Sequence, residues 1–206
     1  MHSIVLVQID KYRKHCIWRG SDLQSKKPSK ADWLTFIKPK KDGRLVVLNL
    51  KTHNEAMLLK FLHKFYNKEV IPWVSLIWEC HYPDGQIHNI AKKGSFWWKD
   101  ILKLIDKYKG MATVTVKDGR TSLLWEDLWN GSIPKWQFPH LYSFAKKKYI
   151  TISEAKNTDH FHSLFHLPLS EEAFTQYNSL KDTMNPLELQ DVHDSWAYIW
   201  GSSSFS

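Results

Sequence analysis

Apolar residues recur at helical spacing through the first half of the chain and give way to strand-like alternation beyond about residue 110. Val5, Ile9, Tyr12 and Cys16 lie three or four apart, which predicts a helix running to about Trp18 and stopping at Gly20, with Asp10 placed to pair with Lys14 one turn on. A polar, lysine-bearing loop follows. Ser29 is set to cap a short helix carrying Trp33, Phe36 and Ile37, which must end near Lys38 because Pro39 disfavours helical backbone before it. A basic turn then leads to the strongest helical pattern, residues 52–68. Its Ala56, Leu59, Leu62, Phe65 and Tyr66 make one apolar face, while Lys60, Lys64 and Lys68 repeat every four residues along a polar stripe. Pro72 suits the first turn of a further helix burying Trp73, Leu76 and Ile77. Ser95 caps another, with Trp98, Ile101, Leu102 and Ile105 inward.

The later pattern differs. Residues 113–116 and 121–125 alternate around Asp118-Gly119, a β-hairpin signal. A short helix with a basic end is expected over 138–149, and Ser170 caps a helix on which Phe174, Tyr177 and Leu180 share a face. The segment from Asp194 reads as a strand entering a further domain. The expected fold class is mainly α in the first half and α+β with a β-hairpin in the second half.

Charge sharpens this division. Residues 1–110 hold 21 Lys+Arg against 10 Asp+Glu, a net of +11; residues 111–206 hold 8 against 11, a net of −3. A positive half joined to a mildly acidic one points to a polyanion partner for the first half. Its positive charge is almost all lysine, which meets phosphate as a point charge, so a bound nucleic acid is expected to be held by its backbone with little sequence preference. Lys26, Lys27, Lys38, Lys40, Lys41, Arg44, Lys60, Lys64 and Lys68 are the candidate contacts. An ordinary solvated helix face is the competing reading.

Eleven tryptophans are too many to leave exposed, and most are expected in the core, Trp73, Trp98 and Trp125 among them. Trp18 and Trp97 are the candidates for stacking on bases. Cys16 and Cys80 are too few for a disulfide framework and read as small core residues in a reducing compartment.

Catalytic and metal chemistry find little to work with. His160, His162 and His166, or His15-Cys16 with Cys80-His81, offer three or four nitrogen or sulfur ligands only at spacings that structural zinc sites do not use. His193-Asp194-Ser195 is a triad by composition alone, because consecutive residues cannot align as base, orienter and nucleophile. No phosphate-cradling Gly-rich loop occurs, and no cofactor, metal or catalytic residue is expected. No apolar run is long enough to span a bilayer and the N-terminus lacks the form of a signal peptide, so an intracellular place, nucleus or cytoplasm, is expected.

Several ordered, tryptophan-bearing motifs carry a family resemblance. WRGSD at 18–22, KKP at 26–28, PKKDG at 39–43, NEAMLLKFLHKF at 54–65, PWVSLIWE at 72–79 and GSFWWKDIL at 94–102 come first. DGRTSLLWEDLWNG at 118–131, FPHLYSFA at 138–145 and DSWAYIWGSSSFS at 194–206 follow. In that order the chain resembles plant LINE-type (non-LTR) retrotransposon reverse transcriptases over nearly its whole length. The resemblance implies a helical thumb-like segment over 1–110 lying against template–primer duplex. It also implies a hairpin-plus-helix connecting region over 111–190 and, at 191–206, the truncated start of the family's zinc-binding domain, with the parent palm domain absent. The polymerase's Tyr-x-Asp-Asp motif and its endonuclease are missing, so the chain is expected not to be an enzyme. One departure is internal: the family's Gly-Gly-Leu-Gly turn is here Gly43-Arg44-Leu45-Val46, which would suit a degenerate element copy. Two other expectations stand beside backbone binding: a protein-interaction module using exposed tryptophans, and a remnant with no function. A stand-alone enzyme ranks below them.

Overall fold

Helices arise largely where the apolar spacing and cap residues place them, and one short antiparallel sheet ties distant segments of the second half together. The computed structural model describes residues 3–22, 24–26, 28, 32–37, 47–85, 87 and 94–201. The chain divides between Leu58 and Leu59 into two compact units.

In the first unit, α1 (Ser3–Arg19) ends where Gly20 takes φ +68° and its amide donates to the Cys16 carbonyl at 3.0 Å. The expected inward face is corrected. Val5, Tyr12 and Cys16 are exposed, and Leu6 is the buried residue of α1. Asp10 pairs with Arg13 at 2.8 Å, not with Lys14, whose ammonium lies 5.5 Å from the Trp33 ring centre. Arg13 also donates to the Leu48 carbonyl at 2.9 Å. Helix α2 (Trp33–Phe36) follows Asp32, whose side chain makes no cap bond; Ser29, the expected cap, lies outside the described residues. Helix α3 (Leu50–Tyr66) starts earlier than expected because Asn49 Oδ1 accepts from the Thr52 amide at 3.1 Å. The division between the units falls within this helix.

The second unit packs aromatic rings. Leu59, Leu62, Phe65 and Tyr66 of α3 are buried, as the apolar face predicts. Helix α4 (Pro72–His81) buries Val74, Ile77 and Trp78, while Leu76 is exposed. This rotation corrects the expected Trp73/Leu76 face. The Trp78 ring stacks on Phe65 at 4.8 Å and its indole donates to the Phe65 carbonyl at 3.0 Å, so it takes the inward position. Cys80 is exposed on α4, again not a core residue. Ser95 caps α5 (Phe96–Leu102), accepting from the Trp98 amide, and buries Trp98, Ile101 and Leu102. The expected single helix is interrupted, and α6 (Ile105–Lys109) buries Tyr108 but leaves Ile105 half-exposed.

Strand β1 (Ala112–Thr115) is antiparallel to β2 (Ser195–Tyr198), with Ala112 opposite Tyr198 and Thr115 opposite Ser195. The fold is thus mainly helical in its first half, with a two-stranded antiparallel sheet in the second. The partner of β1 differs from the expected one. Residues 121–125 do not return along β1; instead Leu123 bridges Thr151, and the Leu124 amide donates to the Ile150 carbonyl at 2.9 Å. A two-residue hairpin turn of the favoured kind needs positive φ at both central residues, and here only Gly119 has it. Gly119 also sits so close to the following segment that a Cβ would lie 2.8 Å from the Ser153 nitrogen.

What captures the turn is Asp194. Its Oδ1 accepts from the amides of Lys117 at 2.7 Å and Gly119 at 2.9 Å. Its Oδ2 accepts from the Thr121 amide at 3.1 Å, the Thr121 hydroxyl at 2.9 Å and the Ser122 hydroxyl at 3.0 Å. Within the segment expected to open a further domain, β2 pairs with β1.

Beyond the turn, α7 (Pro134–Gln137) and α8 (Pro139–Ser143) run in succession, and Thr151 caps α9 (Ile152–Lys156). Ser170 caps α10 (Glu171–Met184), accepting from the Ala173 amide at 3.2 Å. The buried residues of α10 are Ala173, Leu180 and Met184; Phe174 is exposed, which corrects the expected face.

Replacing Asp194 by alanine leaves five donors of a buried turn without an acceptor and is expected to cost about 3–5 kcal/mol in urea unfolding. His193→Ala, which loses only an exposed 3.3 Å contact to Asp118, is expected to change stability by less than about 0.5 kcal/mol. Equal losses in the two variants would show that the carboxylate is not the anchor.

Candidate nucleic-acid interface

The candidate cations separate into three groups. Lys27, Lys38, Lys40, Lys41 and Arg44 lie outside the described residues, and Lys26 is exposed in the loop after α1. Lys60 and Lys64, four apart on α3, project from the side opposite its buried Leu59, Leu62 and Phe65. Lys64 meets Glu69 at 3.7 Å with both side chains substantially solvated, a weak pair that yields readily to another anion.

Lys68 does not continue their stripe. Helix α3 ends at Tyr66, and Lys68 adopts φ +46°, which turns it aside. Its ammonium donates to the Gly85 carbonyl at 3.3 Å and lies 4.3 Å from the centre of the Trp78 ring. Burial lowers its pKa from the usual lysine value; Asp118 pulls the other way and Arg120 adds to the lowering. Arg120 was not among the candidates. Its signal in the sequence is its place in the DGRTS turn, but that it approaches Lys68 depends on the tertiary fold.

Among the tryptophans, Trp33, Trp78, Trp98, Trp125, Trp129 and Trp196 are buried, so the core reading holds for Trp98 and Trp125. Trp73 is half-buried, and Trp97 lies against it and against Phe61, edge-on at 5.3 Å to the latter. Trp18 packs edge-on to Phe36 at 5.1 Å. Trp136 and Trp200 are more open than either stacking candidate, at 71% and 52% exposure.

The residues considered for metal or catalysis are occupied otherwise. His160 and His162 stack at 5.3 Å, and His15 bonds the Asp22 carbonyl. Among the described residues no three His, Cys, Asp or Glu side chains are grouped to hold a metal. Asp194 faces the 117–122 turn, not its neighbours in sequence. No helix among the described residues is long and apolar enough to cross a membrane.

A second buried carboxylate, Asp127, has the strained electrostatics that often mark function, but its partners give it a structural role. Burial pushes its pKa up, while Lys109 at 2.5 Å from Oδ1 and the Leu123 amide at 2.7 Å from Oδ2 hold it down. Lys109, itself nearly buried, spends its charge there and is not available to a ligand.

Comparison of the chain with family models, with curated proteins and with solved structures finds no match.

Lys109→Met leaves the Asp127 carboxylate buried without its cation and is expected to cost about 3–5 kcal/mol near neutral pH. Without Lys109 the folded-state pKa rises further above the unfolded value, so the native state binds the proton more tightly and the deficit shrinks as pH falls. Urea midpoints of both proteins at pH 7.5 and pH 5 check this; a deficit independent of pH would exclude an ionised Asp127 as the partner.

Proposed function

We propose that this chain binds the sugar–phosphate backbone of RNA or DNA without reading sequence, and that it does so as a non-catalytic thumb and connecting piece of a LINE-type reverse transcriptase. The supporting observation is the pair Lys60 and Lys64, carried on a helix whose opposite face is packed, with Lys64 holding only a solvated, exchangeable partner in Glu69. Lysines carried on a packed helix suit phosphate contact, where register and affinity matter and base identity does not. The surplus of lysine over arginine in residues 1–110 and the ordered motifs of the resemblance support the same reading. In this reading the chain performs no nucleotide transfer and the associated nucleic acid is held weakly.

A second reading has its own observation. Trp136 and Trp200 are widely exposed, and an open apolar hollow of about 640 Å³ is lined by Leu167, Pro168, Leu169, Phe174 and Tyr177. Both features fit docking of an apolar protein surface.

Salt separates the two. Binding of a labelled RNA–DNA hybrid duplex, followed by fluorescence anisotropy, is expected to weaken steeply between 50 and 200 mM salt. Changing Lys60 and Lys64 together to glutamate is expected to lower low-salt affinity at least about tenfold and to make the slope of log K against log salt shallower by about 2. A folded protein that binds no duplex at low salt would overturn the proposal and leave the docking reading.

A further inference from the structure

Two cations meet at Gly85. A Cβ built there would stand 3.7 Å from the Lys68 Nζ and 3.7 Å from an Arg120 guanidinium nitrogen, so both cationic ends come within contact range of the bare glycine. The glycine adopts φ +69°, a conformation that other residues seldom take, which leaves the small gap beside the two cations bare of a side chain.

The walls of this gap are fixed by backbone bonds. The Gly85 amide donates to the Tyr82 carbonyl at 2.9 Å, and the Ile87 amide donates to the Arg120 carbonyl at 3.2 Å, tying the two segments together. The turn that bears Arg120 is held by the Asp194 carboxylate through Gly119 and Thr121 on either side of it. Asp194 is therefore a positioning residue for Arg120.

Neighbouring acids offset the pair only in part: Asp118 and Asp194 both raise the Lys68 pKa, against a larger lowering by burial. Asp194 is committed to its five donors, and Asp118 accepts from the Arg120 amide at 3.0 Å and faces His193 at 3.3 Å. The Arg120 side chain enters no ion pair among the described residues and is exposed. The Lys68 ammonium bonds a carbonyl and lies over the Trp78 face without a direct ion pair, and its partial burial makes an added anion worth more than at a solvated lysine.

We propose that Lys68, Arg120 and the bare backbone of Gly85 form a subsite for a single phosphate group. The guanidinium would offer two parallel donors to its oxygens and the ammonium a point charge. The proposal deepens the backbone-binding reading and rests on it for the source of the phosphate, one nucleotide unit of a bound strand. It gives that strand a fixed point beside the lysines of α3.

The test titrates inorganic phosphate into the full chain, with chloride at matched ionic strength as control, and follows the amide resonances of Gly85 and Arg120. A saturable shift is expected, at least tenfold weaker in Arg120→Gln and in Lys68→Gln and unaltered when Lys60 and Lys64 are both changed to glutamine. Arg120→Gln removes an exposed side chain and leaves the fold in place, so it carries the test if Lys68→Gln unfolds. A parallel arm measures a labelled oligonucleotide, whose affinity is expected to fall severalfold in Arg120→Gln. Phosphate binding without oligonucleotide binding would uphold the subsite with free phosphate monoesters as its ligands, and would remove the strand-binding reading. No saturable shift, or a shift equally lost in the Lys60/Lys64 variant, would overturn the subsite even if oligonucleotide still bound through α3.

Discussion

A carboxylate withdrawn from water is tolerated only when its oxygens are fully bonded, and Asp194 meets this demand with donors drawn from one short turn more than 70 residues earlier. That constraint decides where the strands lie. Lys117 comes two residues after the end of β1, and Asp194 immediately precedes β2. Joining them sets the end of one strand against the start of the other, and Thr115 opposite Ser195 follows directly. The cost of closing so long a loop grows only slowly with its length, so five charge-assisted or hydroxyl bonds are enough to offset much of it.

The outer edge of β2 is satisfied by a side chain. Asn67 Oδ1 accepts from the Trp196 amide at 2.9 Å, and its Nδ2 donates to the Trp196 carbonyl at 3.1 Å, the two bonds a neighbouring strand would make. The Trp196 ring lies 4.6 Å from Tyr66, and its indole donates to the Thr121 hydroxyl at 3.2 Å, which in turn donates to Asp194. One tryptophan thus couples the end of α3, the sheet and the anchored turn. The strand edge of this segment is thus covered and its large ring buried.

Helices were legible because their signals are local. Gly20, Pro72, Ser95 and Ser170 act within one turn of themselves, and the structure places each at a helix end. Inward faces were less legible where two rotations bury similar area; on α4 the indole bond to Phe65 selects Val74 and Trp78 over Trp73 and Leu76. The partner of β1 was not legible at all, since the alternation around Asp118-Gly119 fits a hairpin and the rival acceptor, Asp194, is distant in sequence. The same contrast runs through the candidate site. Lys60 and Lys64 follow from helical spacing, whereas Lys68 obeys the spacing in sequence but falls beyond the helix end, and the approach of Arg120 exists only after the turn is anchored.

Lys68 separates a charged surface from a charged site. A solvated lysine contributes to a diffuse field, screened within about 10 Å at ordinary salt, and any of several lysines would serve equally. A lysine held over an indole face gives up part of its hydration and many of its rotamers, costs that a purely diffuse role does not require. The cation–π contact recovers about 0.5–2 kcal/mol of this, and that sum alone would not select a residue at φ +46° for the position. An anion bridging Lys68 and Arg120 would meet the remainder. On that argument the two kinds of lysine have different tasks. On the proposed reading those of α3 would draw a strand in from any register and the pair at Gly85 would fix one phosphate, so that binding would be non-specific in sequence yet defined in position along the backbone.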